Sequence, residues 1–96
     1  QARLRTAPVL HKLGRVDEAH AHIRAIQADA TASDETRRDA YLLQADLYKN
    51  DSRPDDELAT LDRGLAAFPD ESQLLYARAL MWERRDDIPR AEADLR

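Results

Sequence analysis

The sequence predicts an all-α superhelix, a solenoid of stacked antiparallel helix pairs, and three observations carry that expectation. Positions recur at a spacing of 34 residues: Tyr41, Ala45 and Tyr48 return as Leu75, Ala79 and Trp82, and Pro54, Leu58 and Leu61 return in part as Ile88, Glu92 and Leu95. A fixed period of this length belongs to helix–turn–helix units, which stack because none can bury its apolar face alone. Ala, Leu, Arg, Glu and Asp dominate, while β-branched residues and glycines are few, which favours helix and gives strands little to use. Finally, apolar stripes at helical spacing alternate with cap and turn residues along the whole chain.

The first helix runs to about Leu13 and stops before Gly14, a residue suited to a helix C-terminus. The second starts near Val16, with Asp17 and Glu18 in the first turn, where carboxylates complement the helix dipole. Its stripe is Val16, Ala19, Ile23 and Ile26. Thr31 to Ser33 form a polar link, and Ser33 is placed to cap the third helix ahead of Asp34 and Glu35. That helix carries Tyr41, Ala45 and Tyr48 on one face and ends at the turn residues Asn50, Asp51 and Ser52. Pro54 reads as the first position of the fourth helix, whose stripe is Leu58, Leu61, Leu65 and Phe68. Pro69 breaks it, and Asp70 is expected to cap the fifth helix with Gln73 reaching back. The fifth presents Leu75, Ala79 and Trp82 and closes at Asp86 and Asp87. The sixth begins around Ile88 and Pro89 and shows Ala91 and Leu95. Pro8 removes a hydrogen bond and crowds the preceding turn, so the first helix is expected to kink there or to start near Thr6. A chain that opens at Gln1 and stops inside a helix reads as part of a longer array, and Leu95 is expected to be left exposed.

Composition narrows the function classes. Fifteen basic and 19 acidic residues give a formal charge of −4, which argues against nucleic-acid binding, where a basic face must displace counterions. The same balance argues against attraction to an anionic membrane surface. The absence of cysteine excludes a disulfide framework, a thiolate nucleophile and a Cys-type zinc site. No apolar run approaches the roughly 20 residues that span a bilayer. Lys12 and Lys49 are the only lysines, and this Arg bias with abundant Ala and Asp suggests a GC-rich bacterial coding sequence. The compartment stays open between cytoplasm and a periplasmic or outer-membrane-associated setting.

The stretch Gly14, Arg15, Val16, Asp17, Glu18, Ala19 resembles the turn and second-helix start of a tetratricopeptide repeat (TPR), and Leu65, Ala66, Ala67, Phe68, Pro69, Asp70 resembles the end of one. The small residue midway along each first helix is Ala7, Ala45 and Ala79, and the aromatic three residues later is Tyr48 and Trp82, with Leu10 in its place in the first unit. The resemblance covers residues 1–96 as one array of about 2.75 units, divided at about 1–30, 34–70 and 71–96. Two departures matter. The first two units are offset by 38 residues (Ala7 to Ala45), so the Thr31–Ser33 region carries an insertion. Glu57 stands where the family has Ala at the close crossing of the pair. A buried carboxylate is expensive, so the crossing is expected to loosen or Glu57 to turn outward. The segments around Leu61–Leu65, Leu74–Leu80 and Ala91–Arg96 are also similar to bacterial cell-envelope members of the family. Some of these are outer-membrane lipoproteins that act as periplasmic adaptors, although the lipidated cysteine they need is not in this sequence.

No residue pattern supports catalysis, a cofactor or a metal. His20 and His22 lie two apart on a helix, point to different faces, and read as surface histidines beside Glu18; His11 reads as solvated. The acidic runs Asp55, Asp56, Glu57 and Asp86, Asp87 sit at helix starts, where capping and dipole effects explain them. There is no nucleophile motif, glycine-rich phosphate loop or EF-hand spacing. Tyr41, Tyr48 and Trp82 match the packing positions of the repeat.

The resemblance instead implies a concave groove lined by the first helices of successive units. On this chain that places Leu4, His11 and Lys12, then Leu42, Asp46, Lys49 and Asn50, then Tyr76, Leu80, Glu83 and Arg84 in the groove, with Leu42, Asp46, Lys49, Tyr76, Leu80, Glu83 and Arg84 expected to bind the partner. Leu42, Tyr76 and Leu80 are apolar residues off the core stripes, as on a contact surface, or on a surface covered by neighbouring repeats. The lysine, asparagine and arginine clamp with which some family members grip chaperone tails is absent; its places hold Leu4, Pro8, Leu43, Gln73 and Ala77. The expected function is a protein–protein scaffold or adaptor that binds a partner segment. The alternatives are a structural or self-associating module and an appendage to an enzyme domain.

Overall fold

The computed structural model describes residues 2–95, with side chains from residue 4 onward. Six helices follow one another: α1 (Ala2–Lys12), α2 (Val16–Gln27), α3 (Asp34–Asn50), α4 (Pro54–Ala67), α5 (Ser72–Arg84) and α6 (Ile88–Leu95). No strand occurs among the described residues. The helices pair as α1 with α2, α3 with α4 and α5 with α6, and each pair packs on the next through α2 against α3 and α4 against α5. The first helices also touch directly, α1 with α3 and α3 with α5. The second helices make no such contact among the described residues, so the first helices form the inner, closer layer of the curve.

Each pair turns through the same three-residue link. Gly14, Ser52 and Asp86 hold positive φ values of 80°, 57° and 58°. The amide before each second helix donates five residues back: Arg15 to Leu10 at 2.9 Å, Arg53 to Tyr48 at 2.9 Å and Asp87 to Trp82 at 2.8 Å. This is the Schellman termination, in which a left-handed residue lets two amides satisfy the last carbonyls of the helix. The cap of α3 forms as read, with the Ser33 hydroxyl accepting from the Thr36 amide at 3.1 Å. The cap of α5 does not: Glu71, not Asp70, is the N-cap, and its carboxylate accepts from the Gln73 amide at 3.3 Å. The first helix begins at Ala2 and runs through Pro8 rather than starting at Thr6; Pro8 leaves the Leu4 carbonyl without its helical donor. The four-residue insertion appears as an extra first turn, since α3 has 17 residues and α5 has 13. Arg37 in that turn donates to the Gln27 carbonyl at 3.0 Å and lies 5.4 Å from the Phe68 ring, tying α2 to the end of α4.

Two apolar clusters form the core. One holds Ala7, Ala19, Ile23, Ile26, Ala40 and Leu47; the other holds Ala45, Leu61, Leu65, Leu74 and Met81. Ala7, Ala45 and Ala79 are all buried, as the repeat pattern requires. The middle helices bury two faces. In α5, Leu74 and Met81 are almost wholly buried, whereas the stripe residues Leu75 and Trp82 are half-buried. The last helix is clamped by Arg78, which donates to both Asp94 oxygens at 2.8 and 2.6 Å and to Asp62 at 2.9 Å, joining α4, α5 and α6. These paired carboxylates hold the Arg78 pKa above the ordinary arginine value. Leu95 is 55% exposed beyond it.

Candidate functional site

Because α3 and α5 are both first helices, they run parallel, and the strip between them forms an open groove. Leu42 near its N-terminal end faces Ser72, Gln73, Tyr76, Ala77 and Leu80 across a depression of about 490 Å³. That depression continues into one of about 530 Å³ lined by Ala45, Asp46, Lys49, Glu57, Glu83 and Arg84. Leu42, Ala77 and Leu80 line both. The groove therefore has an apolar half towards the helix N-termini and a charged half towards the C-termini. Of the eleven residues carried onto the chain from the repeat geometry, Leu42, Asp46, Lys49, Tyr76, Leu80, Glu83 and Arg84 lie on its walls. Tyr76 is 58% and Leu80 41% exposed. The other four do not join it, contrary to the sequence expectation: Leu4 packs against the first core cluster, and His11, Lys12 and Asn50 lie outside the walls.

Glu57 corrects the sequence expectation. It does not turn outward; it is 5% exposed and forms part of the charged half. Arg84 from α5 resolves the cost by donating to its carboxylate at 2.6 Å, a charge-assisted hydrogen bond that compensates desolvation. The side chains of Asp46, Lys49 and Glu83 have no hydrogen-bond or ion-pair partner among the described residues.

The histidines also differ from the sequence reading. His11 is half-buried and held rather than free in solvent: its Nε2 lies 2.8 Å from Asp51 Oδ2, joining α1 to the α3–α4 link. His20 is not at the surface. It is 6% exposed and stacks on Tyr48 with ring centroids 4.3 Å apart. The Gln44 amide donates to its Nδ1 at 3.2 Å, which puts the proton of the neutral ring on Nε2, a buried atom with no partner. Burial, and then the nearby charge of Arg24, lowers the His20 pKa below 6.5. Gln44 Oε1 meanwhile accepts from Gln27 at 2.9 Å and from Arg63 at 2.9 Å, so one buried amide links α2, α3 and α4. Tyr41 packs edge-on against Phe68 at 6.5 Å, and Arg85 and Arg90 lie 5.8 and 5.0 Å from the Trp82 ring. No group of three or more His, Asp or Glu side chains among the described residues is arranged to hold a metal ion. No described helix is long and apolar enough to cross a membrane.

Sequence reasoning missed the Glu57–Arg84 pair, yet a signal was present. The equivalent positions one unit earlier are Ala19 and Asn50. Both members of the pair depart together, which is the mark of a compensated charge.

The fold and the groove define a helical-repeat solenoid with an open inner face. Over 98 aligned residues the chain is 34% identical to a TPR repeat-containing protein of Pseudomonas aeruginosa, an alignment that takes in 99% of this chain and 16% of that protein. No family model and no solved structure gives a significant match. With the 34-residue period, the in-phase alanines and the repeated turns, the chain belongs to the tetratricopeptide repeat family.

Proposed function

We propose that this array is an adaptor that holds a segment of a partner protein in the α3–α5 groove, without covalent chemistry. Membership of a protein-interaction repeat family supports the general role. The observation that carries the specific reading is the exposure of Tyr76 and Leu80, beside the half-buried Leu42, along one continuous groove between parallel first helices. Apolar side chains there supply contact area, while Asp46, Lys49 and Arg84 set register through charge. The expected affinity for one short segment is micromolar, about −8 kcal/mol.

The test is affinity capture by the chain beside its Leu42→Ala/Tyr76→Ala variant, with each captured protein then titrated directly against both. The variant is expected to keep its helical circular dichroism and to lose the partner. Equal capture by both would refute the groove assignment and favour a structural module. A mass that rises with concentration, and stops rising in the variant, would favour self-association.

A further inference from the structure

The two halves of the groove differ in chemistry, and that difference constrains what fits. At the apolar end lie Leu42, Tyr76, Ala77 and Leu80. At the other end, Asp46, Glu57 and Glu83 face Lys49 and Arg84, leaving one net negative charge. Arg84 is already engaged by Glu57 at 2.6 Å. The remaining groups are two carboxylates, Asp46 on α3 and Glu83 on α5, and the ammonium of Lys49 on a flexible stem that can swing aside. Both helices end at this side, so their dipoles add negative potential where the carboxylates stand. The chain as a whole carries −4, which steers cationic partners toward it.

Resting on the groove reading above, we propose that the groove recognises a peptide segment carrying one large apolar side chain and one lysine or arginine. The apolar group sits among Leu42, Tyr76 and Leu80, and the cation sits between Asp46 and Glu83. Leu42 and Asp46 are one helical turn apart, about 6 Å at 1.5 Å per residue. That separation matches a ligand with the base two residues from the apolar anchor if extended, or four if helical. Acidic segments meet two unpaired carboxylates and are rejected.

A random library of peptides about 12 residues long, displayed on phage, tests this when selected on the chain and counter-selected on its Tyr76→Ala/Leu80→Ala variant. Both substituted side chains are largely exposed, so the variant is expected to fold, which circular dichroism checks. The expected outcome is enrichment of sequences that pair a large apolar residue with Lys or Arg two or four positions away. Synthetic copies should lose about tenfold in affinity on Lys→Gln replacement, and about tenfold against the Asp46→Asn/Glu83→Gln variant. Binding should also weaken as salt is raised. Enrichment of acidic or uncharged peptides that need Tyr76 and Leu80 but ignore Asp46 and Glu83 would overturn the charge assignment and leave the groove reading standing. Peptides that bind the Tyr76→Ala/Leu80→Ala variant equally, or no enrichment at all, would overturn both. Self-association abolished by Tyr76→Ala/Leu80→Ala would overturn the peptide assignment in favour of a second copy of the chain.

Discussion

The α2–α3 junction and the α4–α5 junction occupy equivalent places in the array and are filled in opposite ways. Ile26 on α2 and Ala40 on α3 belong to one buried cluster. Their equivalents are Gly64 on α4 and Leu74 on α5. At the first junction the second helix supplies the large residue and the next first helix the small one; at the second junction the sizes are reversed. The fit at the second is close: a Cβ added to Gly64 would lie 3.1 Å from Tyr41 Cγ and 3.2 Å from Leu74 Cδ1. Polar groups are distributed oppositely as well. The first junction buries His20, Gln27 and Gln44, whereas the second has Leu58, Leu65 and Arg78 at those places, with Arg78 turned to ion pairs at the rim. One repeat period thus fixes how the helices cross while leaving the packing solution free, provided volume and hydrogen bonds are both satisfied.

The strongest way to break that comparison is to exchange the two solutions. Leu74→Ala alone is expected to cost about 2–5 kcal/mol through the cavity it leaves. Gly64→Ile alone is expected to cost about 1–3 kcal/mol through overpacking against Tyr41 and Leu74. The double variant rebuilds the first junction's arrangement inside the second. Its cost should fall below the sum of the singles by at least about 1 kcal/mol. Urea unfolding of the four chains measures this, and strict additivity would mean that the two positions do not share one space.

The polar centre of the first junction gives the next effect. Gln44→Ala strips a hydrogen-bond partner from Gln27, Arg63 and His20 at once. Leaving those groups unsatisfied is expected to cost about 1–3 kcal/mol in the same unfolding assay. Arg78→Ala at the equivalent place acts on a more exposed group. It is expected to loosen α6 selectively, seen as faster amide exchange in Ile88–Leu95.

These contrasts also show which parts of the fold the sequence carries openly. The end of α1 before Gly14, the Ser33 cap and the Pro54 start of α4 are local, and local chemistry reads them, while the buried alanines follow from the repeat pattern; the left-handed conformation of Ser52 and Asp86 was not read. The second apolar faces were not legible. A middle helix packs on two neighbours, so its apolar residues spread around it, and a single stripe through Leu75 and Trp82 hides Leu74 and Met81. Partners distant in sequence were equally hidden: Asp51 for His11 lies 40 residues away, Gln44 for His20 lies 24, and Arg84 for Glu57 lies 27. In the groove, repeat geometry located the walls formed by α3 and α5 but misplaced Leu4, His11, Lys12 and Asn50, which lie outside them. Its two-part chemistry emerged only once Glu57 was seen to hold Arg84 and leave Asp46 and Glu83 open.

The buried histidine makes the first junction sensitive to pH in a way the second is not. Burial holds the folded pKa of His20 below 6.5, with Arg24, His11 and Arg53 lowering it further and Asp51 opposing. As pH falls, the unfolded chain takes up the proton first. His20 therefore contributes full stability above about pH 6.5 and less on acidification below it. Protonating Nδ1 would also set it against the Gln44 amide donor. Urea midpoints compared between about pH 5 and 8 should fall on the acid side, and a His20→Phe variant should fall less. Equal slopes in both chains would assign the pH dependence to other groups.

The smallest expected effects lie in the turns, where the comparison extends to all three pairs. Gly14 adopts its left-handed conformation freely, but Ser52 and Asp86 hold φ values of 57° and 58° with a Cβ attached. An L-residue in that region is strained by roughly 1–2 kcal/mol. Glycine removes the strain and returns part of the gain as unfolded-state entropy. Ser52→Gly and Asp86→Gly are each expected to stabilise the chain by up to about 1 kcal/mol. The two sites should differ in reach. Ser52 closes the middle pair, which both junctions hold in place, so its gain should appear in global unfolding. Asp86 precedes α6, whose only helical neighbour among the described residues is α5, so its gain should appear first as slower amide exchange in that helix. A gain of the same kind at both sites would show that α6 unfolds with the rest of the array rather than ahead of it.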